Sequence, residues 1–255
     1  MRRVLNLYST TVGKKVVMAV TGIVLVGFIV GHMVGNLKLY APAHGGVFAL
    51  DHYAEGLRNF GDPFLLEGQF LWIFRAVMLL AVGLHIWSAI SLKLLSNAAR
   101  PVAYKKTAYE ESNAASRTMI WGGILLAVFI VFHILHFTTG TVTPGFEFYH
   151  GQVQANMTGG FAVWYVALFY AIAMIALGMH LYHGVWSMLQ TLGANHPRYN
   201  HWRKRLAIAL AIVVTLVNIS FPVAVLTGAV EKTAPTPEGH AARTSHVETE
   251  VEAWN

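Results

Sequence analysis

Five long apolar stretches, at residues 16–35, 70–95, 118–137, 161–189 and 206–230, are separated by connections in which the polar and charged side chains gather. The first holds only Thr21 and His32 as polar residues. As a helix rising about 1.5 Å per residue, it is long enough to cross a hydrocarbon core of about 30 Å. Within each stretch the apolar residues surround the helix instead of forming one stripe, as expected where every face meets lipid or another buried helix. The fourth stretch has 29 residues, more than a span needs, so it must tilt or project. The pattern predicts an all-α integral membrane protein: five transmembrane helices in a bundle over residues 1–230, followed by a polar acidic extracytoplasmic tail at 231–255. The long connection at 38–69 has room for a short surface helix around 49–60. The tail, with Pro235, Pro237 and glutamates at 231, 238, 248, 250 and 252, is expected to be mobile or loosely docked and to carry no chemistry. No internal repeat or low-complexity tract is present.

Charge placement orients the bundle. Arg2, Arg3, Lys14 and Lys15 precede the first span, Arg100, Lys105, Lys106 and Arg117 lie between the second and third, and Arg198, Arg203, Lys204 and Arg205 lie between the fourth and fifth. Against these twelve, the opposite connections hold Lys38, Arg58, Lys232 and Arg243. Positive charge stays on the cytoplasmic side, so the N-terminus is expected inside and the C-terminus outside. The first stretch is too long for a signal peptide, and no small-x-small cleavage pattern follows it. Composition agrees: of 255 residues 55% are hydrophobic and 12% charged, against roughly a quarter charged in soluble domains. The net charge of +6 sits in the inner loops, so no nucleic-acid partner is expected. The absence of cysteine excludes disulfides, thiolate metal sites, iron–sulfur ligation by this chain and thioether attachment of a cofactor.

Thirteen histidines therefore stand out, six of them inside the spans: His32, His85, His133, His136, His180 and His183. A lone membrane histidine is usually hydrogen-bonded to a neighbouring helix, but here depth adds information. His32 and His133 lie about 16 and 15 residues up two outward-running helices, in the outer half; His85 and His180 lie about 15 and 19 residues down two inward-running helices, in the inner half. Two facing pairs stacked across the bilayer, about 15 Å apart, suit two bis-histidine haems b, because neutral imidazole binds iron from each face. Small residues beside His32 (Gly31, Gly35), His85 (Gly83, Ala89) and His180 (Gly178, Gly184) offer clearance for a flat macrocycle. Residues three apart lie near one helix face, so either member of the pairs His133/His136 and His180/His183 can reach iron by spacing alone, its companion serving a propionate or quinone. Arg75 in the second span and Arg117 at the start of the third are candidate propionate partners.

These residues resemble the cytochrome b membrane anchor of succinate:quinone oxidoreductases of the single-chain, five-helix, two-haem type. The resemblance covers nearly all of residues 1–230. It is carried by Thr11-Val-Gly-Lys-Lys-Val-Val-Met-Ala-Val-Thr-Gly22, by Gly31-His-Met-Val-Gly-Asn-Leu37, by Ser116-Arg117 leading to Gly123 and Phe132-His133-Ile-Leu-His136-Phe137, and most specifically by His180-Leu-Tyr-His-Gly-Val-Trp-Ser-Met-Leu-Gln-Thr-Leu-Gly193. It implies His32, His85, His133 and His180 as axial ligands, selecting His133 over His136 and His180 over His183. It also implies an iron–sulfur subunit and a FAD flavoprotein docked at the cytoplasmic face. Electrons from succinate would then pass through the inner and outer haems to a quinone, menaquinone by expectation, in a bacterial cytoplasmic membrane. FAD and iron–sulfur clusters belong to the partners, so the chain is an enzyme only as a non-flavin subunit. Some relatives carry a glutamate beside the fourth-span ligand that serves proton movement; here Gly178 and Met179 precede His180.

A quinone site needs an apolar slot and groups able to hydrogen-bond carbonyls. Near the outer pair, Glu67 and Arg75 are the candidates, with His44 and His52 in the same loop region. Competing readings are a fumarate reductase anchor running in reverse, a quinol-, ascorbate- or hydrogenase-linked di-haem cytochrome b, and a haem-free structural anchor. From other classes come a histidine-rich di-iron hydroxylase, which needs its histidines clustered at one membrane face, and a proton-coupled transporter, for which broken helices and internal symmetry are expected.

Overall fold

The computed structural model describes residues 9–99 and 114–235. All regular elements among them are helical: α1 (Thr11–Asn36), running into a 3-10 turn (Leu37–Tyr40); α2 (Ala49–Arg58); α3 (Gln69–Ala98); α4 (Ala114–His133), continued by a π-helical turn (Ile134–Thr138); α5 (Val153–Phe161); α6 (Trp164–Thr191); and α7 (Asn200–Leu226). Extended pairing is confined to a bridge between His44 and Val47. Five helices are long and apolar enough to cross a membrane: α1 with its 3-10 turn, α3, α4 from Thr118 with its π turn, α6 and α7. They expose large apolar side chains along their lengths, among them Val24, Leu79, Val128, Ile175 and Leu216. That surface suits hydrocarbon and would be unstable in water.

The expected surface helix forms as α2. Two differences from the apolar pattern are physical. The fifth stretch ends as a helix at Leu226 because Gly228, at φ +77°, takes a left-handed conformation that closes the last turn. The fourth stretch is broken near its start. Residues 153–161 form the separate helix α5, and the chain turns at Ala162 and Val163 before α6 begins. Part of what reads as a loop at 138–160 is therefore helical, and every residue from Gln154 to Phe161 is buried. Its glycines permit that: a Cβ on Gly160 would lie 2.9 Å from both the His136 and Phe137 rings. The acidic tail divides: residues 231–235 are described, with the Thr233 N–H donating to Thr158 Oγ1 at 3.1 Å, while 236–255 lie outside the described residues.

The described residues fall into two compact units, within the following ranges of the chain. One comprises Met1–Gly31, Trp72–Gly123 and Leu177–Val213; the other comprises His32–Leu71, Ile124–Ala176 and Val214–Asn255. The first buries small and aliphatic residues, including Ala19, Ala81, Leu181, Val185, Ala207 and Ala211. There Arg203, 7% exposed, ties down the chain between α6 and α7 by donating from Nη1 to the Ala194 carbonyl at 2.8 Å. The second is cored by Leu39, Leu50, Met157, Phe161, Val166, Tyr170, Phe221 and Val225.

In the second unit, α2 and α5 are joined by a side chain. Asp51 Oδ1 accepts the Gln154 N–H at 2.9 Å, satisfying a donor in the first turn of α5 that has no intrahelical partner. Within α5, Asn156 bonds both ways with Tyr149, accepting its N–H at 2.8 Å and donating to its carbonyl at 2.7 Å. Polar residues that look wrong for a buried helix are thus its fastenings.

Candidate functional site

Each unit brings together two span histidines from different helices. In the second unit His32 of α1 and His133 of α4 face each other, with ring centroids 5.8 Å apart and planes at 82°. In the first unit His85 of α3 and His180 of α6 lie 6.3 Å apart with planes at 56°. An imidazole centroid lies about 1.1 Å from its nitrogens and a metal–nitrogen bond is about 2 Å, so two rings on opposite sides of one ion sit about 6 Å apart. Both pairs have that spacing.

Three of the span histidines, His85, His133 and His136, have hydroxyl partners at Nδ1. His85 Nδ1 is 3.2 Å from Thr21 Oγ1, and that hydroxyl is also 2.8 Å from the Val17 carbonyl. His133 Nδ1 is 3.2 Å from the Tyr170 hydroxyl on α6, which lies 2.9 Å from His136 Nδ1 as well. His180 Nδ1 is buried with no protein partner. His136 Nε2 is likewise buried without a partner among the described residues, and a buried, unused ring nitrogen costs of the order of 1–3 kcal/mol.

The His-x-x-His companions differ in surroundings. His136 is fully buried. Its ring stacks on Phe132 at 5.0 Å and packs against Phe137 at 4.0 Å and Phe146 at 5.2 Å. Nothing the size of a macrocycle fits against that face. The π turn at Ile134–Thr138, closed by the Thr139 N–H on the Ile134 carbonyl at 3.0 Å, sets the direction of His136 relative to His133. His183 is half-buried one turn beyond His180 on α6.

A haem requires imidazoles in facing pairs, and the residues present supply two such pairs. Of the glycines expected to give clearance, Gly31, Gly83 and Gly184 have open space where a Cβ would stand, whereas Gly35 does not: the Tyr53 ring lies 2.8 Å from that position. His32 itself is exposed. No group of three or more histidine or carboxylate side chains suited to a metal ion occurs among the described residues.

The remaining candidates are more peripheral. Arg75 is exposed near the start of α3, its guanidinium 5.0 Å from the centre of the Trp72 ring, the arrangement of a residue at a membrane boundary. Glu67, His44 and His52 are exposed in the α1–α3 connection. The Arg117 backbone belongs to α4, and its side chain lies outside the described residues. Two hydroxyls now seen on the ligand candidates had no role in the sequence pattern: Thr21, noted there only as polar, and Tyr170. The available signal was a hydroxyl inside an otherwise apolar span. No family model, curated protein or solved structure matches the chain.

Proposed function

We propose that the chain is the membrane anchor and electron-transfer subunit of a succinate:quinone oxidoreductase, with His32 and His133 ligating one haem b and His85 and His180 the other. The observation that carries this reading is the facing of four span imidazoles in two pairs at 5.8 and 6.3 Å. The haems would supply one-electron carriers in the membrane interior. The protein's own contribution would be to hold four imidazoles in hydrocarbon and to exclude water with the apolar spans. Thr21 and Tyr170 support the reading, because ligating histidines characteristically have the second ring nitrogen hydrogen-bonded. The succinate assignment and the partner iron–sulfur and FAD subunits rest on the α6 motif and on the basic loops, which offer a cytoplasmic docking surface. Quinone contact by Glu67 and Arg75 belongs to the same proposal.

The test is a reduced-minus-oxidised absorption spectrum with haem quantification on the purified chain and its complex, followed by addition of succinate. Two haems b per chain, reduced by succinate in the complex, are expected. Absence of haem would remove the electron-relay function, and two haems indifferent to succinate would move the chain to another di-haem cytochrome b.

A further inference from the structure

The hydroxyls on the imidazoles carry a further step, which rests on the haem-anchor reading. Thr21 has one proton to donate, and its Oγ1 lies 2.8 Å from the Val17 carbonyl and 3.1 Å from the Met18 carbonyl of its own helix. In an apolar span that back-bond is the local resting place of a threonine proton. With its proton committed, Thr21 meets His85 Nδ1, 3.2 Å away, as an acceptor. His85 then carries its hydrogen on Nδ1 and leaves the Nε2 lone pair for another bond.

Tyr170 reaches the same result by a different route. Its hydroxyl lies 3.2 Å from His133 Nδ1 and 2.9 Å from His136 Nδ1, and one proton cannot serve both. If His133 ligates through Nε2, its Nδ1–H donates to Tyr170, the Tyr170 proton goes to His136 Nδ1, and His136 keeps its own hydrogen on Nε2, a buried atom with no partner among the described residues. The short contact to His136 is then the one Tyr170 donates. The three groups form a chain with one direction, and the aromatic enclosure of His136 holds its far end still.

We infer that Thr21 and Tyr170 are positioning residues, each fixing the Nδ1–H tautomer of one ligand, aiming its Nε2 at iron and setting the potential of one centre independently of the other. A ring that donates from Nδ1 is more electron-rich and a stronger ligand. That favours the oxidised ion and holds the reduction potential down. The effect read is therefore on the carriers themselves.

The experiment is an optical redox titration of the full-length chain assembled with its partner subunits, comparing wild type with Thr21→Val, Thr21→Ser and Tyr170→Phe. Thr21→Val keeps the side-chain shape and removes the acceptor; Thr21→Ser restores it. The expected result is that Thr21→Val moves one haem midpoint to more positive values with the bis-histidine spectrum retained, that Thr21→Ser stays near wild type, and that Tyr170→Phe moves the other haem in the same direction. Loss of one haem from the Val variant but not from the Ser variant also supports the role of the hydroxyl. Unshifted midpoints with both haems present overturn the inference, as do equal changes in the Val and Ser variants, or movement of the same haem by Thr21 and Tyr170 variants. A wild-type complex holding no haem overturns the anchor reading itself, which separates the two failures.

Discussion

Imidazole in hydrocarbon is costly while its ring nitrogens lack partners, and the membrane histidines meet that cost in distinct ways. His85 rests on Thr21, and His133 and His136 share Tyr170, while His180 keeps a buried Nδ1 without a protein partner. Truncation should therefore separate the pairs. His85→Ala or His180→Ala should remove one haem and leave the other detectable by quantification and spectrum; His32→Ala or His133→Ala should do the converse. Retention of both haems in any of the four variants would refute the pairing. At this scale, span histidines and their order along the chain are legible in the sequence, since polarity inside an apolar run is conspicuous. The choice between His133 and His136 is not legible from spacing, because both fall near one helix face. In the structure both rings pack among aromatics, His136 against Phe132, Phe137 and Phe146 and His133 against Phe129 and Phe137, and His133 is the one that lies opposite His32.

Among the elements, the spans follow from apolar length, and α2 follows from the room in its connection. Helix α5 does not, because nine residues with Gln154, Asn156, Thr158 and two glycines make no recognisable stripe. Its support comes from outside its own sequence: from Asp51 on α2, from Tyr149 and from the His136 and Phe137 rings against Gly160. Burial pushes the Asp51 carboxyl above its ordinary range, and the N–H groups of Gln154 and Val153 and the charge of Arg58 offset this in part. A raised folded-state value means the folded form holds the proton more tightly than the unfolded chain. Stability should therefore fall as pH rises from the ordinary aspartate range through the raised one. Asp51→Asn, which keeps an acceptor and sheds the charge, should flatten that dependence; Asp51→Ala, which removes the acceptor, should cost about 1 kcal/mol. Thermal unfolding in detergent across the mildly acidic range measures both. An undiminished slope in the Asn variant would assign the dependence to another group.

For the whole molecule, membrane residence is stated twice, by an apolar sequence with few charges and by the apolar side chains that the spans expose. Orientation is an electrostatic expectation from the twelve inner basic residues, and the absence of cysteine makes it simple to check. In right-side-out bacterial vesicles, an impermeant thiol reagent should label Asn59→Cys in the first connection and spare His196→Cys between α6 and α7; the reverse pattern would invert the topology. The number of spans and the kind of side chain available for chemistry were determined by the sequence itself, because a hydrocarbon solvent imposes its length and polarity rules one helix at a time. Which imidazole faces which, which hydroxyls His85 and His133 lean on, and that a buried helix forms just ahead of the fourth span were decided only in the tertiary structure. Those outcomes depend on contacts between residues far apart in the chain, such as Thr21 with His85 and Asp51 with Gln154, and no local pattern encodes the distance between two helices.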